Sequence, residues 1–179
     1  MDFIARHTSI PVPRVHDAFS ARGETWLVME YIDAPLLIRV WRNLSEHERL
    51  SAMQQLKGYI DQLRSLEPPE PGKVQAVDGT GCIDSRMASE PWGPFHTISD
   101  FHTFFGHDYK TSGRVYRTVF THGDLGPHNI LWKDGKIAAI IDWETAGWLP
   151  EYWEYTRSHE SIPEELRVEQ DLGSVLTRI

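Results

Sequence analysis

Between residues 45 and 66 the apolar positions recur at steps of three and four. Leu50, Met53, Leu56, Ile60 and Leu63 form one stripe, the period of an amphipathic helix. Ser45 and Glu48 precede it with the Ser-x-x-Glu spacing of a capping box, and Pro68-Pro69 stop it. Upstream, Phe3 to His7 reads as the tail of a helix ended by Pro11 and Pro13. Arg14–Phe19 and Thr25–Ile32 are rich in branched and aromatic residues and flank a turn containing Gly23. That pattern predicts an antiparallel hairpin. Residues 67 to 96 are dense in proline and glycine and predict mostly loop. A small hairpin is expected there, Val74–Val77 against Cys82–Asp84, around Asp78-Gly79-Thr80-Gly81. A helix is expected from Thr97, with Ile98, Phe101, Phe104 and Phe105 on one face.

The best-patterned hairpin comes later. Ile130–Lys133 and Lys136–Ile141 flank Asp134-Gly135, a dipeptide that tolerates positive φ at both positions. Helices are expected at Glu151–His159 and from Ile162 to Arg178, the latter with Ser161 and Glu164 as a capping box. Strands and helices mix without a βαβ rhythm, so the fold class is α+β.

Composition narrows the function. The 179 residues are 40% hydrophobic and 25% charged, the balance of a globular chain. Eighteen basic and 26 acidic residues give a net charge of -8, which argues against non-specific binding to nucleic acid or anionic membrane. The single cysteine, Cys82, excludes an intrachain disulfide and a Cys-rich metal site. No apolar run reaches the roughly 20 residues of a membrane helix, and the first residues lack a secretory pattern. The expected location is cytoplasmic.

Chemistry concentrates between Thr121 and Asp142. Asp124 and Asn129 lie on a Gly- and Pro-rich loop, and the hairpin that leaves at Ile130 returns at Ile141. Asp142 is therefore brought back beside Asn129. Two carboxylates and an amide converging at one end of a hairpin suit Mg²⁺, which takes few protein ligands and completes its shell with water and phosphate oxygens. The corresponding chemistry is phosphoryl transfer. As ordinary turn residues, Asp124 and Asn129 would need a coincidence of spacing with the returning Asp142. Gly79-Thr80-Gly81 lacks the Lys-Ser/Thr pair of a phosphate loop and reads as a turn. The histidines are scattered and read as solvated or core residues rather than a zinc site.

His122-Gly123-Asp124-Leu125-x-x-x-Asn129 resembles the catalytic loop of the aminoglycoside phosphotransferase and choline kinase family, relatives of the protein kinases. Ile141-Asp142-Trp143-Glu144 resembles its metal-binding segment. The resemblance implies a protein-kinase-like fold: a mostly helical C-lobe with a catalytic hairpin, plus a remnant of the N-lobe sheet. It implies ATP and Mg²⁺ as cofactors. Asp124 would be the catalytic base, and Asn129 and Asp142 the metal ligands. Glu30-Tyr31-Ile32 would be the hinge between lobes, where Glu30 and Ile32 meet the adenine edge through backbone groups and Met29 lines the pocket. A plain structural strand fits the hinge residues equally well. His122 would brace the loop. Gly147–Glu154 resembles the start of the next C-lobe helix in fungal members, with a structural role. Glu144 fits either an aid to the metal or a surface pair, the second preferred.

One departure from the family pattern matters. The family carries a phosphate-covering loop and a strand lysine before its hinge, and residues 1–30 hold no lysine. The expectation is an N-terminally truncated, fungal-type member, with residues 1–32 as N-lobe remnant and hinge and residues 33–179 as C-lobe. The implied activity moves a phosphoryl group from ATP to a small-molecule hydroxyl, or is lost with the N-lobe. The alternative is a pseudokinase, a nucleotide- or partner-binding module without turnover. A hairpin outside its usual sheet leaves open edges, so self-association through the N-terminal strand edge is expected, with no nucleic-acid or membrane partner.

Overall fold

The computed structural model describes residues 1–84, 87–106 and 114–160. Helix α1 (Asp2–His7) leads into strands β1 (Val15–Ala21) and β2 (Glu24–Met29), joined by a two-residue turn with Arg22 at φ 55° and Gly23 at φ 80°. A short helix, α2 (Leu37–Val40), and a 3-10 turn precede the long helix α3 (Glu46–Ser65). Strand β3 is Gln75–Ala76 and helix α4 is Ile98–Phe104. Strands β4 (Thr118–Thr121), β5 (Ile130–Lys133), β6 (Lys136–Ile140) and β7 (Gly147–Pro150) follow, then helix α5 (Trp153–Glu160). The expected final helix, with Ser161 and Glu164, lies outside the described residues.

The α3 cap forms as its sequence predicts. Ser45 Oγ accepts the Glu48 N–H, and Glu48 accepts the Ser45 N–H at 2.9 Å. Ala52, Met53, Leu56, Ile60 and Leu63 are buried. Each large side chain buried there contributes about 1.5–3 kcal/mol. Leu50 is the exception, 57% exposed, because it stands at the margin of the stripe. Helix α3 packs on β4 and β6. Gln55 grips the tip of the β5–β6 hairpin, donating to the Gly135 carbonyl and accepting the Ile137 N–H. The Asp-Gly turn has both residues at positive φ, 50° and 74°, as that dipeptide predicts.

The expected Val74–Val77/Cys82–Asp84 hairpin does not form. Gln75 and Ala76 instead pair with Trp148 and Gly147, in a three-stranded sheet ordered β3-β7-β4. Val74 bridges Phe95 and Cys82 bridges Trp92. The turn at Asp78–Thr80 does form, with the Ala76 N–H on the Thr80 carbonyl. What displaced the local pairing is burial: the buried Trp148 and Leu149 of β7 offer more apolar contact than a two-residue hairpin. The same strand corrects the expectation that Gly147 begins a helix, which starts only at Trp153. Helix α4 begins where expected, its cap made by Thr97 and Asp100, with Phe101 buried and Phe104 exposed.

The β1–β2 hairpin stands apart from the core. Every residue of β2 is exposed. Phe19 lies opposite Trp26, and the two are 46% and 52% exposed. Val15, Ala18 and Leu27 turn the other way and, with Phe3 and Trp143, border a cavity of 530 Å³. Among the described residues no helix is long and apolar enough to cross a membrane.

Candidate active site

The loop from His122 to Asn129 connects β4 to β5, and its first turn is held by hydrogen bonds from Thr145, the His122 ring and Glu154. Gly123 takes φ 84°, and a Cβ there would lie 2.6 Å from the Thr145 carbonyl oxygen. Only glycine meets both demands. Thr145 Oγ1 donates to the His122 carbonyl at 2.9 Å. His122 is fully buried. Its Nδ1 accepts the Asp124 N–H at 3.2 Å, so the ring proton sits on Nε2, which donates to the Ile141 carbonyl at 2.9 Å. The ring packs against Trp143 with centroids 4.5 Å apart. His122 braces the loop, as its place in the motif implied.

A further support comes from α5. Glu154, on α5, is buried, and its carboxylate accepts the N–H groups of His122 at 2.7 Å, Gly123 at 3.2 Å and Leu125 at 3.1 Å. Burial pushes the Glu154 carboxyl above its ordinary range, and the three N–H donors and Arg64 pull the other way. Sequence reasoning gave this segment a structural role without singling out Glu154. The signal was an acid set between Trp153 and Tyr155.

Asp124 and Asn129 meet directly. Asn129 Nδ2 donates to the Asp124 carbonyl at 2.9 Å and to Asp124 Oδ2 at 3.2 Å. Both partners are acceptors, so the amide orientation is fixed and Oδ1 is left as the oxygen a hard cation would take. Asp142 is joined to this pair through the backbone: the Ile141 N–H donates to the Asn129 carbonyl at 2.9 Å. Asp142 itself is exposed and holds φ 65°. That left-handed conformation is rare for a non-glycine residue and clusters at functional sites. Among the described residues no group of three His, Cys, Asp or Glu gathers as a closed metal site. The donor set of one amide oxygen and one exposed carboxylate fits an ion whose remaining ligands are water and phosphate.

His128, set aside in the sequence as a solvated or core histidine, stands beside this pair, with Nε2 3.3 Å from Asp124 Oδ2.

The hinge residues lie at the end of β2 and just beyond it. Met29 is exposed. The Glu30 N–H donates to the Arg14 carbonyl at 2.8 Å, and Glu30 Oε2 accepts the Arg14 N–H at 3.2 Å. The Ile32 carbonyl accepts the Ala34 N–H. Among the described residues nothing takes the Glu30 carbonyl or the Ile32 N–H. The chain then runs along the β5–β6 hairpin. Lys133 Nζ donates to the Asp33 carbonyl at 2.7 Å, Trp132 N–H to Pro35, and Ile38 N–H to Pro127.

The structure of the aminoglycoside phosphotransferase APH(4)-Ia superposes with a TM-score of 0.65, at 18% identity, over 96% of this chain and 63% of that one. The fold is that of the aminoglycoside phosphotransferases. A thermostable variant of APH(4)-Ia in a ternary complex with ADP and hygromycin B superposes with a TM-score of 0.55, at 17% identity, over 87% of this chain and 58% of that one. In sequence, the profile of the phosphotransferase enzyme family matches residues 111–175. The aminoglycoside 3'-phosphotransferase of Enterococcus faecalis is 25% identical over 178 residues, 90% of this chain. The chain spans 63% of the length of that relative. In this fold Asp124 and Asn129 lie on the loop that enters the β5–β6 hairpin, and Asp142 lies just past its exit.

Proposed function

We propose that the protein binds a magnesium nucleotide and moves the terminal phosphoryl group to a hydroxyl of a small molecule. The observation that carries this reading is the Asp124–Asn129 pair, tied through Ile141 to the left-handed Asp142. Asp124 accepts the proton of the attacking hydroxyl. Asn129 Oδ1 and the Asp142 carboxylate hold Mg²⁺, which when bound neutralises charge on the phosphates. The backbone of Glu30 and Ile32 meets the adenine edge, with Met29 against the ring. Residues 1–32 act as the N-lobe segment with the hinge, and residues 33–179 as the C-lobe. The relative solved with ADP and hygromycin B supports a nucleotide beside a polyhydroxylated amine. An acidic chain of net charge -8 suits a cationic acceptor of that kind.

Thermal denaturation with ATP, with Mg²⁺ and with both tests the binding half. A joint stabilisation that disappears in Asp142→Ala is expected. An acceptor screen beginning with hygromycin B tests the transfer half, and Asp124→Ala abolishes any product. No shift under any condition refutes the reading.

A second reading is favoured by a specific observation. The β1–β2 hairpin holds no lysine, and every residue of β2 is exposed, so this hairpin offers no ammonium to a bound phosphate. On that reading the protein binds nucleotide or a partner and does not turn over. Joint stabilisation by ATP and Mg²⁺, with no product from any acceptor, is its signature.

A further inference from the structure

Between Asp124 and Asn129 the loop carries Gly126 and His128. His128 Nε2 stands 3.3 Å from Asp124 Oδ2, the oxygen that also receives Asn129 Nδ2 at 3.2 Å. An ionised carboxylate only accepts hydrogen bonds, so Nε2 carries the proton and donates. Two donors from the same loop thus converge on one oxygen of the proposed base.

The loop is built to leave room for this ring. Gly126 does not hold a positive φ, so no turn conformation demands glycine there. A Cβ at 126 would lie 2.5 Å from His128 Cε1 and 2.7 Å from Nδ1, closer than such atoms approach. What the glycine supplies is space for the imidazole on its way to Asp124. The two side chains are 31% and 19% exposed, so the ring sits at the rim of the site and not in the core.

We propose that His128 is a positioning residue for Asp124. The inference rests on the reading of Asp124 as base. In the transfer step the acceptor oxygen forms its bond to the terminal phosphorus as the bond from that phosphorus to the bridging oxygen breaks. ADP leaves with that electron pair, and the hydroxyl proton passes to Asp124 and then to solvent. His128 gains and loses no proton. It holds Oδ2, and with it the plane of the carboxylate, toward the incoming hydroxyl. Small misplacements of a reacting group are costly, about 100-fold in rate for ~1 Å.

The test uses the full chain with ATP as donor and either water or hygromycin B as acceptor, and it follows kcat separately from MgADP affinity. His128→Ala lowers kcat at least about tenfold with MgADP affinity unchanged. His128→Asn, which keeps an N–H donor, recovers part of the loss. Gly126→Ala pushes the ring off Asp124 and lowers kcat in the same way. The double variant is no worse than His128→Ala, because without the ring there is nothing to displace. Wild-type turnover in His128→Ala, or losses that multiply in the double variant, overturns the proposal. If His128→Ala fails to fold, Gly126→Ala decides alone: an unchanged kcat overturns it. MgADP binding without any turnover in the wild type also overturns it, whereas absence of MgADP binding brings down the phosphotransferase reading itself.

Discussion

The carboxylate of Glu154 receives the backbone N–H of His122 at 2.7 Å and, with it, those of Gly123 and Leu125. A helix that follows the site by many residues thereby fixes the curvature of the loop carrying Asp124. Glu154→Ala leaves three buried donors unpaired, at a cost on the order of 3 kcal/mol, read as a lowered denaturation midpoint. Glu154→Gln keeps one acceptor oxygen and loses less.

The same residue gives a pH signature. Burial raises the folded-state value of Glu154 above its ordinary 4.5, so the folded chain holds this proton more tightly than the unfolded one. The stability it contributes is complete below 4.5 and declines as pH rises through the raised folded value. Denaturation followed against pH shows this component in the wild type and lacks it in Glu154→Gln.

Glu48 behaves in the opposite sense. Hydrogen bonds from the Ser45 side chain, and then its backbone, pull the Glu48 carboxyl below 4.5. Its contribution is present above that value and lost as pH falls through the lowered one. Ser45→Ala removes the cap at a cost of about 1 kcal/mol and flattens that acid limb in a urea titration series.

Cys82 is buried, and burial pushes its thiol up to about 12. Native protein resists iodoacetamide at about pH 8, where an ordinary thiol reacts, and urea-unfolded protein is alkylated. Because the folded state retains this proton, stability falls as pH rises above 9.0. Mass spectrometry and alkaline denaturation check the two halves.

Trp26 and Phe19 face one another across β1–β2 with about half of each side chain exposed. Hydrogen exchange of amides 15–29 is expected to run far ahead of amides 130–140, whose hairpin is packed under α3. Trp26→Lys suppresses any concentration-dependent association seen by sedimentation, since the open edge then carries a charge.

Local signals in the chain are legible where one short stretch contains both partners of the interaction. Ser45 with Glu48, Asp134 with Gly135, and Asp124 with Asn129 are such cases. The β3-β7-β4 sheet escaped notice because β4 and β7 are buried on both faces. Four-residue strands of that kind show no alternation, and their partners come from distant parts of the chain. His128 is illegible for a different reason. A histidine's contact with Asp124 depends on the absent side chain at Gly126, and spacing alone does not report empty space.

Two bonds reach outward from the β5–β6 hairpin to the chain on either side of β1–β2: Ile140 N–H to the Pro11 carbonyl, and Lys133 Nζ to the Asp33 carbonyl. The flap is therefore stitched at both corners to one seam. Any load on β1–β2 therefore passes into β5 and β6, the strands that Asn129 and Asp142 flank.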